Sequence, residues 1–219
     1  ILKRYTDTQF VDAFKSFFVN NVDIDKDCFS RGQLESKIWL IDELDQLDLD
    51  LGTVFLCAGW YATLAVMLFE SNSKITKIRS FDIDESCIEI AEKFNKPWFA
   101  DQWKFKSLIA DIHDIDYNQH TWEFWSNTHN RMSYPITDSP DTIINTSCEH
   151  IENFDKWYAK IPQGKIVILQ SNNYFEINDH INCSENLTEF SASAPMTETL
   201  FEGELELPLY TRFMKIGVK

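Results

Sequence analysis

The sequence predicts a doubly wound α/β fold built on a mostly parallel sheet. Three observations predict it. Residues 53–65 join a continuous apolar run, Val54 to Ala58, through a tight turn of small residues to a helical pattern at Leu64, Ala65, Met67 and Leu68. An unbroken apolar run suits a strand buried on both faces of a parallel sheet. Short apolar strands alternating with helical stretches then recur along the chain, two of them ending in an acid, at Asp82 and at Asp111. Two candidate strands, about 197–207 and 209–218, close the chain around Pro208 as an antiparallel hairpin.

The whole chain sets the bounds. Its 219 residues, 44% hydrophobic and 14% aromatic, suffice for one α/β domain over 51–219 with a helical extension over 1–50. No apolar run approaches the roughly 20 residues that span a bilayer, and no basic-then-apolar leader opens the chain, so a cytoplasmic protein without a membrane partner is expected. Five scattered cysteines without CxxC spacing read as reduced thiols. Acidic residues outnumber basic ones 35 to 20, giving a net charge of −15. Nucleic-acid binding draws on Lys and Arg contacts to phosphates, so nucleic acid is disfavoured as a partner and a small molecule or protein is favoured.

The elements follow in order. Phe10, Phe14, Phe17 and Phe18 share one face of a helix over 5–20, with Thr6 or Asp7 as cap. The acidic stretch Asp23, Asp25, Asp27 lacks the glycine and closing glutamate of a calcium loop and reads as a solvated loop. A second helix, about 33–47, carries Leu34, Ile38, Ile41 and Leu44 on one face. After the central turn, Lys77 to Asp82 is a second strand, and Asp84 caps a helix of about 85–95 with Ile88, Ala91 and Phe94 inward. Phe105 to Ala110 is a third strand, followed by Asp111. The aromatic stretch 117–139 reads as a helix plus a lid, or as an insertion. Asp141 to Thr146 is a fourth strand, with Ser147-Cys148-Glu149-His150 and a helix over 151–160 behind it. Pro162-Gln163-Gly164 turns into a fifth, Lys165 to Gln170.

This order of motifs resembles the class I S-adenosylmethionine-dependent methyltransferases. Val54–Ala65 stands where that family has its glycine-rich first motif. Phe81-Asp82-Ile83-Asp84 and Ala110-Asp111-Ile112 resemble its second and third motifs. Asp141 to Asn145 with Cys148-Glu149-His150-Ile151 resembles the fourth strand and its Glu-His-Ile, and Pro162-Gln163-Gly164-Lys165 the turn before strand five. Tyr210 to Gly217 resembles the last strand. The resemblance implies a Rossmann-like, seven-stranded class I methyltransferase sheet and S-adenosylmethionine as cofactor. The departures are concentrated in the first motif. Leu56 replaces the usual acid, Ala58 the first glycine, and Trp60 and Tyr61 stand where glycine and a small residue are usual. Arg31 or Gln33 is the expected source of a replacement contact.

The resemblance carries the site over residue by residue. Ala58, Gly59 and Trp60 would pass under the cofactor, Asp82 with Ile83 would hold the ribose, and Asp111 with Ile112 the adenine. Asn145 would lie beside the transferable methyl. His150 would be the catalytic base, and Glu149 would orient it or bind a substrate amine. Each has a plain structural alternative: a cap for Asp82, a loop acid for Asp111, a helix start for Glu149 and His150. Cys148 reads as a small buried residue. His113, His120, His129, His150 and His180 show neither HxxxH nor HExxH spacing, so no metal site is expected. The expected function is methyl transfer to a small-molecule or protein acceptor. The alternatives are a non-catalytic binding module of the same fold, with Trp60 and Tyr61 filling the pocket, and a nicotinamide-dependent oxidoreductase, which the absence of G-x-G-x-x-G disfavours.

Overall fold

Eight residues, Asp50–Cys57, form the central strand β1 of a seven-stranded sheet in this computed structural model, which describes residues 24–126 and 129–219. The helix expected over 5–20, and Asp23, lie outside the described residues. The strands that follow are β2 (Lys74–Asp82), β3 (Phe105–Ile109), four short strands β4 (His120–Trp122), β5 (Trp125–Ser126), β6 (Arg131–Met132) and β7 (Ile136–Asp138), then β8 (Thr142–Asn145), β9 (Ile166–Asn172), β10 (Glu198–Glu206) and β11 (Thr211–Val218). The sheet order is β3-β2-β1-β8-β9-β11-β10. β11 runs antiparallel to both neighbours, and the other neighbouring pairs are parallel. The expected mostly parallel, doubly wound sheet with a terminal hairpin is the one observed.

Gly52 marks an irregularity in β1, with φ +55°. A Cβ there would stand 2.3 Å from Asp141 Oδ2, the oxygen that accepts the Thr53 N–H at 2.8 Å. The close approach of β1 to the start of β8 therefore requires glycine.

Side chains alternate across the strands and build two cores. Val54, Leu56, Ile78, Ile144, Ile168, Met214 and Ile216 face helices α1 (Arg31–Leu47), α2 (Thr63–Glu70) and α3 (Ser86–Phe94) through Leu40, Ile41, Leu44, Leu64, Leu68 and Ala91. On the other face Phe55, Cys57, Phe81, Val167, Leu169 and Phe213 meet Tyr117, Trp122, Trp157 and Phe190. Helix α1 is capped by Ser30, whose side chain accepts the Gln33 N–H. Its Ser36 carbonyl accepts Gln170 Nε2 at 3.0 Å, which fixes it over β9.

Several boundaries differ from the sequence expectation. The helix of about 85–95 ends at Phe94, and a short α4 (Lys96–Ala100) follows with Pro97 in its first turn, where a missing N–H costs nothing. Asp84 accepts the Ser86 N–H at 2.8 Å at the start of α3. The helix expected from 151 starts at Phe154 (α5, Phe154–Lys160), preceded by a 3-10 turn over Cys148–His150. A helix α6 (Leu187–Ser193), capped by Asn186, was not anticipated.

The stretch 117–139 contains no helix among its described residues. It forms two nested antiparallel ribbons, β4 with β7 and β5 with β6. Its base is bolted to the sheet by Asp138, which accepts Lys77 Nζ at 2.9 Å, Arg79 Nε at 2.6 Å and Trp122 Nε1 at 3.0 Å. Strands of two or three residues are too short to show a period of two in the sequence, which is why they read as irregular.

Candidate active site

The turn between β1 and α2 is drawn tight by three non-glycine residues in the left-handed region: Ala58 at φ 52°, Trp60 at 49° and Ala62 at 50°. Such conformations are sparse for side chains with a Cβ and concentrate at functional turns. Gly59 itself is fixed by packing, because a Cβ there would stand 2.1 Å from Ser80 Oγ on β2. Its N–H donates to the Phe81 carbonyl at 3.0 Å. The next N–H, of Trp60, donates to Asp82 Oδ2 at 2.7 Å, and the Asp84 N–H donates to Asp82 Oδ1 at 3.0 Å. An ionised carboxylate has about four acceptor positions, so each Asp82 oxygen keeps capacity for a ligand hydroxyl.

Beside this turn, at the carboxyl ends of β1, β2 and β3, lies a cleft of about 380 Å³. Ala58, Asp82, Ile83, Asp111, Ile112 and His150 line it. Six of the ten site residues expected from the sequence are thus brought to one cleft. Ile83 is 72% exposed, an apolar platform beside the Asp82 carboxylate. Asp111 spends one oxygen on the His113 N–H at 2.8 Å. The far wall comes from Glu152, Asn153 and Lys156, where Lys156 Nζ donates to Asn153 Oδ1 at 3.0 Å. Sequence reasoning missed that wall. Its one local signal is Asn153, an asparagine at φ 50° that starts α5.

The other four expected residues lie elsewhere. Gly59 and Trp60 support the turn from behind and do not line the cleft. The Trp60 and Tyr61 rings stack at 4.7 Å and pack towards Cys28, Val66 and Phe94. They leave the cleft open. Leu56 is core. Arg31 pairs with Glu35, and Gln33 accepts Lys37 Nζ at 2.7 Å, so neither supplies the replacement contact expected of it. Asn145 is fully buried, its Oδ1 accepting the Ser147 N–H at 2.8 Å while Nδ2 has no partner among the described residues.

Glu149 requires a correction. It does not orient His150. It is 2% exposed, and its Oε1 accepts Asn172 Nδ2 at 2.7 Å and Arg212 Nη1 at 3.1 Å. The His150 ring is held by the Asp179 carbonyl, 3.0 Å from Nδ1, and lies edge-on to His180 at 4.7 Å between ring centres. A buried arginine outcompetes a partly solvated imidazole for a carboxylate because it offers a rigid, permanently charged fork. Cys148 is buried, and burial followed by the neighbouring Glu149 charge pushes its thiol well above the ordinary range, which disfavours the thiolate.

No family model matches the sequence, and no curated protein matches it. Solved structures do match the fold. Magnesium protoporphyrin IX methyltransferase (ChlM) from Synechocystis PCC 6803, with bound SAM, superposes with a TM-score of 0.59 at 12% identity, over 100% of this chain and 95% of that one. N-methyltransferase NodS from Bradyrhizobium japonicum WM9, in complex with S-adenosyl-L-homocysteine, gives 0.59 at 10% identity, over 93% and 98%. The 1,6-didemethyltoxoflavin-N1-methyltransferase of Burkholderia thailandensis gives 0.56 at 9%, over 96% and 89%. The chain has the class I methyltransferase fold. In this fold the topological switch point lies between β1 and β8, where the strand order reverses, and the cleft opens at the neighbouring strand ends. Among the described residues no helix is long and apolar enough to cross a membrane.

Proposed function

We propose that the chain binds S-adenosylmethionine in this cleft and transfers its methyl group to a small-molecule or protein acceptor. The observation that carries the reading is the Asp82 carboxylate, placed on the cleft wall at the end of β2 with acceptor capacity left on both oxygens. The residues fit the group. Asp82 would accept the ribose hydroxyls and Asp111 the adenine amino group, with Ile83 and Ile112 giving the base an apolar surface. Ala58 keeps the turn narrow where the ligand backbone must pass. When bound, the cofactor supplies a methyl carbon made electrophilic by its sulfonium. The protein's part is to position and to exclude competing water, and His150 stands on the wall where an acceptor would enter. The open cleft, with Trp60 and Tyr61 packed away from it, supports a ligand-binding enzyme over a filled, non-catalytic module.

Calorimetric titration with S-adenosylmethionine and S-adenosylhomocysteine, with NADH as control, tests this. Saturable binding of the first two that is weakened in Asp82→Ala supports the reading. Folded protein that binds neither overturns it in favour of a binding module, and NADH binding alone overturns it in favour of a redox enzyme.

A further inference from the structure

We propose that Glu149, His150 and His180 form a binding site for a divalent first-row metal ion at the edge of the cleft. One donor atom from each of the three lies within 4.8 Å of the others. Ligands about 2.1 Å from a shared ion stand about 3.4 Å apart, so closure needs side-chain movements of about an ångström.

Three features point to a ligand. The Glu149 carboxylate is buried, its Oε1 is held by Asn172 and Arg212, and its Oε2 has no hydrogen-bond partner among the described residues. A bare buried carboxylate oxygen is costly unless a cation meets it. Both imidazoles are also oriented from behind: His150 Nδ1 lies 3.0 Å from the Asp179 carbonyl, and His180 Nδ1 lies 2.7 Å from the Tyr174 carbonyl. A carbonyl can only accept, so each Nδ1 carries a proton, and in the neutral ring Nε2 is then the nitrogen with a lone pair for a metal. Imidazoles backed by carbonyls and a carboxylate backed by donors are the usual outer partners of metal ligands. Two imidazoles and one carboxylate suit zinc, cobalt or manganese better than calcium or magnesium.

The charge of Glu149 is already shared with Arg212, so a bound divalent ion would leave the site positive. An anionic or readily deprotonated oxygen is the complementary further ligand. Because His150 also lines the cleft, a hydroxyl-bearing acceptor could take that position and release its proton to water. That use, unlike the site itself, rests on the methyl-transfer reading.

The test is a titration of the chelator-treated, untagged full chain with Co²⁺, followed by its visible absorption and by Zn²⁺ competition. One saturable Co²⁺ equivalent, displaced by Zn²⁺ and bound at least tenfold more weakly by His180→Ala and by Glu149→Gln, is expected. Folded wild type that binds no Co²⁺ overturns the proposal, as does unchanged affinity in His180→Ala. Thermal melts identify any variant that fails to fold, and His180→Gln then replaces His180→Ala. S-adenosylhomocysteine calorimetry on the same samples separates the two readings. Co²⁺ binding without nucleoside binding keeps the metal site and removes methyl transfer, and the reverse result removes the metal site alone.

Discussion

The carboxylate of Asp82 accepts the backbone N–H of Trp60 at 2.7 Å, which ties the end of β2 to the turn after β1. One side chain therefore shapes the turn and faces the cleft. Asp82→Ala is expected to weaken S-adenosylhomocysteine binding by about 1–3 kcal/mol and to lower stability by about 1 kcal/mol, because a buried-side donor loses its acceptor. Asp82→Asn keeps one carbonyl oxygen and should fall between. Calorimetry and thermal melts on the three proteins check this, and an unchanged affinity in Asp82→Ala would remove the ribose assignment.

The turn itself is open to a substitution in the other direction. Ala58 holds φ 52°, a conformation that costs an L-residue about 1–2 kcal/mol and glycine almost nothing. Glycine loses about 0.5–1 kcal/mol more chain entropy on folding. Ala58→Gly should therefore stabilise the protein by about 0.5–1 kcal/mol, read as a higher urea midpoint at unchanged slope. A lower midpoint would show that the alanine methyl contributes packing that outweighs the backbone strain.

The hub at Asp138 lies outside the cleft, so its removal separates stability from ligand binding. Burial raises this carboxyl, but donors from Trp122, Arg79 and Lys77 outweigh it, and the net shift is below the ordinary 3.8. A depressed carboxylate stabilises the fold above its ordinary value and loses that contribution as pH falls below it. Asp138→Asn leaves Arg79, 4% exposed at its side chain, without its charge partner and should cost about 3–5 kcal/mol. Affinity for S-adenosylhomocysteine in the folded fraction should stay at the wild-type value. A loss of affinity that exceeds the loss of folded protein would mean that the ribbons shape the cleft after all.

The parts of this molecule legible in the sequence are those whose cause is local. β1 shows as an unbroken apolar run, Asp82 as the acid that ends β2, Asp111 as an acid two residues beyond β3, and Asp84 as an acceptor for the Ser86 N–H where α3 begins. What stayed hidden depends on pairs far apart in the chain. Arg212 takes Glu149 from 63 residues away, and His180 reaches His150 from another loop. Neither leaves a spacing to read, so Glu149 looked available to its sequence neighbour. Arg79 and Lys77 read as ordinary strand charges, and only the fold brings them onto Asp138.

Lys37 gives a prediction that depends on pH. The residue is 6% exposed, and burial first and the Arg212 charge second lower its pKa from 10.5 to about 8. Gln33 Oε1, at 2.7 Å, is a neutral acceptor and offsets only part of that cost. Because the folded state disfavours the charged amine, the unfolded chain binds more protons between these two values, and stability rises with pH across that window. The penalty is fully present below about pH 8 and has gone by about pH 10.5. Lys37→Met, which keeps the length of the stem without the charge, should stabilise the protein near neutral pH by about 1–3 kcal/mol. The advantage should shrink towards the upper end of the window. Urea melts of both proteins at several pH values measure the difference, and a gap that stays constant across the range would show that the ammonium of Lys37 is not the source of the cost.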